Sequence, residues 1–394
     1  MSGLRDKYAI VGTGKSRLGR VEGASSLGLI AEAVKAALDE AGLTNKDVDG
    51  LLIRGPDDIY SLHQLIGARL GINAAFSTTL DNGGASQIMA IAMAAMAIDA
   101  GLATVVVCAF GRDSWSRTNI GSDNKKQDKR QEPNLIPAAQ RPQEHGPEFG
   151  LFSATAMHAF GARRHMHEYG TTRGDFAAIA IAFREHALRN PQASMRKPLD
   201  LQTYMNARLI VDPFGLYDCS LVSDAAGAVV VTSTDRARSL KSQRVLIKGF
   251  ATFNNTKGWF LDDHMVSTAA AESSQRAYRM AGLGPKDVDC AQIYDCFTYM
   301  VLTQLEDYGF CKKGEGGAFA RSGALSLHGE LPTNTSGGQL SEAHAEGMLQ
   351  IVEGARQLQG IYDADRQVPG AEIALVSGHG GNTVCHSTLI LGKA

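Results

Sequence analysis

Along the first fifty residues the apolar positions change rhythm. Tyr8-Ala9-Ile10-Val11 is a continuous apolar run, the pattern of a buried strand, and residues 31–53 then read AEAVKAALDEAGLTNKDVDGLLI. Apolar positions three and four apart predict a helix there, ending at Gly42, where glycine supplies a left-handed C-cap. A short acidic turn and the strand Leu51-Leu52-Ile53 follow. The same text returns without gaps at residues 271–293, AESSQRAYRMAGLGPKDVDCAQI, with Gly282 at the helix end and Ala291-Gln292-Ile293 as the strand. A match of this kind implies a duplicated unit. The halves run over about 1–240 and 245–394 of the 394 residues.

Each half repeats a second pairing of helix and buried strand. The first has a helix over Gln87–Ala100 and a strand over Thr104–Ala109; the second has Glu346–Leu358 and Glu372–Val376. Continuous apolar strands between helices belong to sheets covered on both faces. An α/β fold in five layers, αβαβα, is the natural way to join two such units. Between about 110 and 205 the rhythm fails: residues 111–150 are polar and weakly periodic, and helical stretches over Ala154–Tyr169 and Asp175–Arg189 follow. Such an insertion reads as a lid or substrate platform, or as a dimer contact.

Composition narrows the function classes. Hydrophobic residues make up 44% and charged residues 20% of the chain, and the net charge is −2, so no global field favours nucleic acid or membrane. Lys125, Lys126, Lys129 and Arg130 form one basic cluster, a solvated loop or a phosphate contact. The most apolar helix, Ile88 to Ala100, is too short to span a bilayer. Six scattered cysteines lack zinc-binding spacing, and no secretory leader is read before Tyr8, so a cytoplasmic protein with reduced thiols is expected.

Four segments place glycines and polar side chains where an apolar strand or helix pattern breaks off. Leu80-Asp81-Asn82-Gly83-Gly84-Ala85-Ser86-Gln87 precedes the first-half helix, where free backbone amides suit an anion or oxyanion, or simply make a tight turn. Tyr294, in Ile293-Tyr294-Asp295-Cys296-Phe297-Thr298, follows the second repeat strand and is either a ligand contact or a buried structural tyrosine. His344 stands near the start of a helix expected from about Glu342, after the glycine loop Pro332 to Gln339, and suits acid–base work. Val376-Ser377-Gly378-His379-Gly380-Gly381-Asn382 is placed after the last core strand, with glycine amides for half of an oxyanion hole.

In their order, these segments resemble the four active-site blocks of the thiolase superfamily. They are closest to its sterol-carrier-protein-type branch and to the thiolase-like aldolases that cleave steroid side chains. The resemblance spans the chain and includes Ala162 to Gly170, Asp212-Pro213-Phe214, Ser223 to Ala228 and Leu305 to Cys311. It implies a duplicated thiolase fold, an acyl-CoA substrate and a homodimer. It also implies a separate OB-fold partner with a zinc ribbon, with coenzyme A entering as part of the substrate. No metal or redox cofactor is implied.

The departures from a working thiolase set the expected chemistry. The block resembling Asn-x-Cys-Ala-Ser/Thr-Gly carries Gly84 where the nucleophilic cysteine belongs; Ser86 is two residues on and faces elsewhere. Tyr294 replaces a histidine or asparagine, as in the aldolases, whereas His344 matches the thiolase histidine. The fourth block's usual cysteine gives way to Gly378 or His379. Thiolysis needs a nucleophile that accepts the acyl group. Retro-aldol cleavage of a 3-hydroxyacyl-CoA needs only proton transfers and enolate stabilisation. Tyr294 and His344 are expected to provide the transfers in either assignment, with Asn82, Gly84, Gly380 and Gly381 binding the oxygen. The alternatives are a thiolase using Cys296 or Cys385 as a displaced nucleophile, and a non-catalytic acyl-CoA-binding homologue.

Overall fold

The computed structural model describes residues 3–56, 58–119, 153–255, 265–381 and 384–394. The basic cluster at 125–130 and most of the polar stretch 111–150 lie outside the described residues.

Nine strands form one mixed sheet: β1 (Tyr8–Lys15), β2 (Gly50–Arg54), β3 (Phe76–Thr79), β4 (Val105–Asp113), β5 (Asp224–Ser233), β6 (Val245–Asn254), β7 (Cys290–Gln292), β8 (Ile373–Gly380) and β9 (Cys385–Lys393). Their spatial order is β3-β2-β4-β5-β1-β6-β9-β8-β7. The duplication is visible in that order. From β2 inward, the sequence β2-β4-β5-β1 is answered by β7-β8-β9-β6. Each series begins with a parallel pair and continues with antiparallel ones. The halves meet along β1 and β6.

The repeated text folds in the same way in both halves. Helices α1 (Ser26–Ala41) and, later in the chain, Ala270–Ala281 end on Gly42 at φ 70° and Gly282 at φ 66°. The conformation is costly for any residue with a β-carbon, which accounts for glycine at both places. In Lys-Asp-Val-Asp the first aspartate caps its own turn: Asp47 accepts from the Thr44 amide and Asp287 from the Gly284 amide. The second reaches across to the neighbouring strand. Asp49 accepts from the amides of Thr104 and Val105, and Asp289 from those of Glu372 and Ile373. The motif therefore sets the start of β4 and β8 beside β2 and β7.

Two helices, α2 (Ser86–Asp99) and its counterpart Met348–Gln359, each pack on strands of both halves and form the middle layer. Ile88, Ala95, Ile351 and Val352 share one core with Val106, Val229, Val376 and Leu389. Separate cores lie under the outer helices, around Leu29, Ile30 and Val34 in the first half and Ala277, Val301 and Leu302 in the second. Sheet halves between outer and central helices are the five layers expected. No helix among the described residues is long and apolar enough to cross a membrane.

The described part of the insertion is a helical wall. Helices α3 (Ala154–Tyr169) and α4 (Arg173–Arg189) join the second-half core, where Phe176, Ile179 and Phe183 pack with Tyr299 and Leu302. His165 on α3 bonds Glu306 at 3.1 Å, joining two of the segments singled out by sequence.

Two expectations are corrected. The helix expected from about Glu342 is a single short turn, Gly338–Ser341; a regular helix resumes only at Met348. Glu346 at φ 42° and Gly347 at φ 90° interrupt it, since left-handed residues cannot sit inside a right-handed helix. Likewise Gly378-His379-Gly380 is no loop after the last strand. β8 runs through it and pairs with β9, His379 opposite His386. The glycines are there for close approach: a β-carbon at Gly380 would run into the Asn82 carbonyl oxygen.

Candidate active site

Gly84, Tyr294, Cys296, His344, Gly380 and Gly381 converge on one cavity of about 230 Å³. Asn82 is not among its lining residues. Its amide nitrogen Nδ2 points to the Met89 sulfur at 2.7 Å, and its backbone N–H donates to Ser86 Oγ at 2.6 Å, so it braces the turn into α2. Cys385 also stays out of the lining; burial raises its thiol pKa to about 11.

Tyr294 is 5% exposed and its backbone is held at both ends. Its N–H donates to Ser377 Oγ at 2.7 Å, Ser377 donates to Gln304 Oε1 at 2.7 Å, and Gln304 Nε2 returns to the Tyr294 carbonyl at 2.9 Å. An ideal β-carbon on Gly84 would lie 2.5 Å from the Tyr294 hydroxyl oxygen and would also collide with the ring and with the His379 carbonyl. The phenol thus fills the space into which a side chain at position 84 would grow. Burial, then the Glu346 charge, hold its pKa well above the ordinary phenol value, so it stays protonated and donates.

His344 presents its ring from the irregular stretch between the two helical pieces. Its backbone N–H donates to Ser223 Oγ at 2.8 Å, and Nδ1 lies 3.3 Å from Ser220 Oγ. Among the described residues, Nε2 is buried without a hydrogen-bond partner. Burial first, then the Arg112 charge, pull its pKa down to about 4, so the ring is neutral at pH 7. When Nδ1 carries the proton and donates it to Ser220 Oγ, Nε2 is the ring's lone-pair nitrogen.

Asp295 supports the two segments. It accepts from the backbone amides of Gln339 and Leu340 at 2.9 and 3.1 Å, and burial raises its pKa to about 7. Asn334 clasps the neighbouring Ile293 through both its N–H and its carbonyl, at 2.6 and 2.8 Å.

Sequence reasoning missed several lining residues: Ala154 and His158 from α3, Ser220, Phe297 and Glu346. His158 lay in the insertion, where no glycine block marked it. Glu346 pairs with Arg112 at 2.9 Å on the cavity side. Its left-handed backbone was the kind of signal that only coordinates reveal.

Comparison with known proteins agrees with this architecture. Residues 8–235 match the family described as thiolase, N-terminal domain, and residues 254–393 the thiolase C-terminal domain-like family. A steroid side-chain-cleaving aldolase of Thermomonospora curvata is 37% identical over 409 residues, covering 100% of this chain and 99% of its own. The 17-hydroxy-3-oxo-4-pregnene-20-carboxyl-CoA lyase of Mycobacterium tuberculosis is 37% identical over 400 residues, covering 99% and 100%. Among solved structures, an Ltp2-ChsH2(DUF35) aldolase superposes with a TM-score of 0.88 at 35% identity, over 99% of this chain and 98% of that one. The chain belongs to the thiolase family and stands close to the aldolases within it.

Proposed function

We propose that this protein is an acyl-CoA carbon–carbon lyase that cleaves a 3-hydroxyacyl-CoA by retro-aldol chemistry, without an acyl-enzyme. One observation carries this reading: the Tyr294 phenol stands where a side chain at position 84 would have to grow, in a cavity shared with His344, whose Nε2 has no partner among the described residues. A site so built has no nucleophile at position 84 and two groups suited to proton transfer.

The proton count closes. Neutral His344 takes the 3-hydroxyl proton as the bond between C2 and C3 breaks, and the C3 fragment leaves as a ketone or aldehyde. The electron pair passes to the thioester as an enolate, held by the Tyr294 O–H and the backbone amides beside Gly84 and Gly380. Protonation of C2 by Tyr294, re-protonated in turn from the His344 imidazolium, gives the shortened acyl-CoA and restores both residues. Cys296 lines the cavity, but burial, and next the Asp295 charge, push its thiol far from the thiolate form that thiolysis requires.

The names of the two relatives support a steroid side-chain acyl group as the substrate class, and the ChsH2(DUF35) component of the similar structure supports a separate partner subunit, which we read as the OB-fold protein that the family resemblance implies. A homodimer in the cytoplasm completes the reading. Purified protein, with and without such a partner, should release a ketone or aldehyde from 3-hydroxyacyl-CoA thioesters with no need for free CoA. Product that appears only from 3-ketoacyl-CoA and only with free CoA would overturn the proposal.

A further inference from the structure

One wall of the cavity carries three side chains that the proposed reaction does not use. His158 on α3, Cys296 after β7 and His379 on β8 bring two ring nitrogens and a sulfur within 4.8 Å of one another. We propose that His158, His379 and Cys296 form a binding site for a borderline divalent metal ion, zinc above all, with its fourth position open to the cavity.

The spacing of the two rings suits a shared ion. His158 Nε2 and His379 Nε2 face each other at 3.4 Å. Two nitrogens bound to one tetrahedral zinc at about 2.05 Å stand about 3.3–3.4 Å apart. His158 is oriented as a ligating histidine is. Its Nδ1 lies 2.7 Å from the Ala154 carbonyl oxygen, which fixes the Nδ1–H tautomer and turns the Nε2 lone pair toward His379. Phe297 packs on the same ring, 4.7 Å between centroids. Without an ion, His379 Nε2–H donates across that gap to His158 Nε2; since His379 Nδ1 has no partner among the described residues, the proton can move to Nδ1 when a metal takes Nε2. His158 and His379 are 2% and 3% exposed, so the ligands are sheltered from bulk water.

Two imidazoles and a thiolate make a donor set suited to zinc, and three protein ligands with one open position are the hallmark of a reactive rather than a structural site. Binding forms a metal–sulfur bond at Cys296 and releases that thiol's proton to solvent, one proton per ion. The open position faces the wall formed by Gly84, Tyr294, Gly380 and Gly381. Sequence spacing does not reveal the site, because its ligands come from three elements far apart in the chain. It stands independently of the reaction proposed above.

The test is metal binding by the whole protein after dialysis against a chelator and then metal-free buffer. Wild type should take up one equivalent of zinc. With cobalt it should develop a thiolate-to-metal charge-transfer band in the near ultraviolet, a readout that needs no variant. C296S should lose that band, H158Q and H379Q should each weaken zinc binding by at least about 100-fold, and C311S should keep both properties. Each variant is compared only with a wild-type circular dichroism spectrum in hand. Absence of the cobalt band in wild type, or zinc uptake equal in wild type, C296S and H158Q, would overturn the site, whatever the outcome of the lyase assay.

Discussion

Gly84 and Tyr294 are sterically exclusive: the space that a β-carbon on residue 84 would need is taken by the tyrosine hydroxyl 2.5 Å away. The missing cysteine is therefore not a simple deletion that one substitution repairs. Even G84A should lower turnover by about 100-fold and destabilise the fold by about 1–3 kcal/mol, the usual penalty of overpacking a filled site. G84C should behave no better and should remain unacylated after exposure to a 3-ketoacyl-CoA, as read by intact-mass spectrometry. An acyl-cysteine on G84C would show that Tyr294 moves aside freely.

Turnover should depend on the Tyr294 hydroxyl and far less on the ring. Y294F keeps the packing and removes the donor; kcat should fall by about 10²–10⁴ with a small change in KM. H344Q should cause a loss of the same order. Because His344 is held near a pKa of about 4, kcat/KM for the wild-type enzyme should stay level from pH 8 down to about 5 and decline only below that. An acid limb centred near 6.5, absent in H344Q, would mean that the imidazole is hydrated in the free enzyme.

How far the chain could be read in advance depended on what kind of constraint each residue obeys. Gly42, Gly282 and the Lys-Asp-Val-Asp turns obey local rules of capping and left-handed backbone, so the repeat was visible as text. Tyr294 and His344, which both line the cavity, stand out in the sequence because they sit at fixed places in recognisable blocks. Asn82 was in the right block, yet its side chain turned to Met89, since rotamers answer to neighbours that sequence does not show. His158 and Glu346 escaped notice because their position arises from tertiary packing. Gly378 and Gly380 looked like loop residues, although they lie within β8, because strand glycines usually mark a break and here mark two backbones in contact.

Buried histidines should make the fold acid-labile. Desolvation lowers His158, His186 and His344 to about 4 and His386 to about 3. Each binds its proton more readily when unfolded, at the ordinary value of about 6.5. Stability is thus fully present above about 6.5 and lost as pH falls through that value toward about 4, by roughly 3 kcal/mol per residue at most. Tm measured across that interval should drop steeply, and H186Q, at a site away from the cavity, should flatten part of the slope. A Tm that holds constant from pH 7 to 4.5 would contradict the burial of these rings.

The hydrogen-bond loop around Tyr294 makes a prediction that separates positioning from stability. Ser377 accepts from the Tyr294 amide and donates to Gln304, which closes on the Tyr294 carbonyl. S377A leaves a buried N–H and a buried amide oxygen without their partner, at about 1–3 kcal/mol for each group left unsatisfied. It also frees the turn that aims the phenol, so kcat should drop by about tenfold or more while KM changes little. In a Y294F background there is no hydroxyl left to misplace. S377A should then still cost stability in denaturant unfolding but should lower kcat no further. If the two kcat losses simply multiplied in the double variant, Ser377 would be acting on catalysis by a route other than Tyr294.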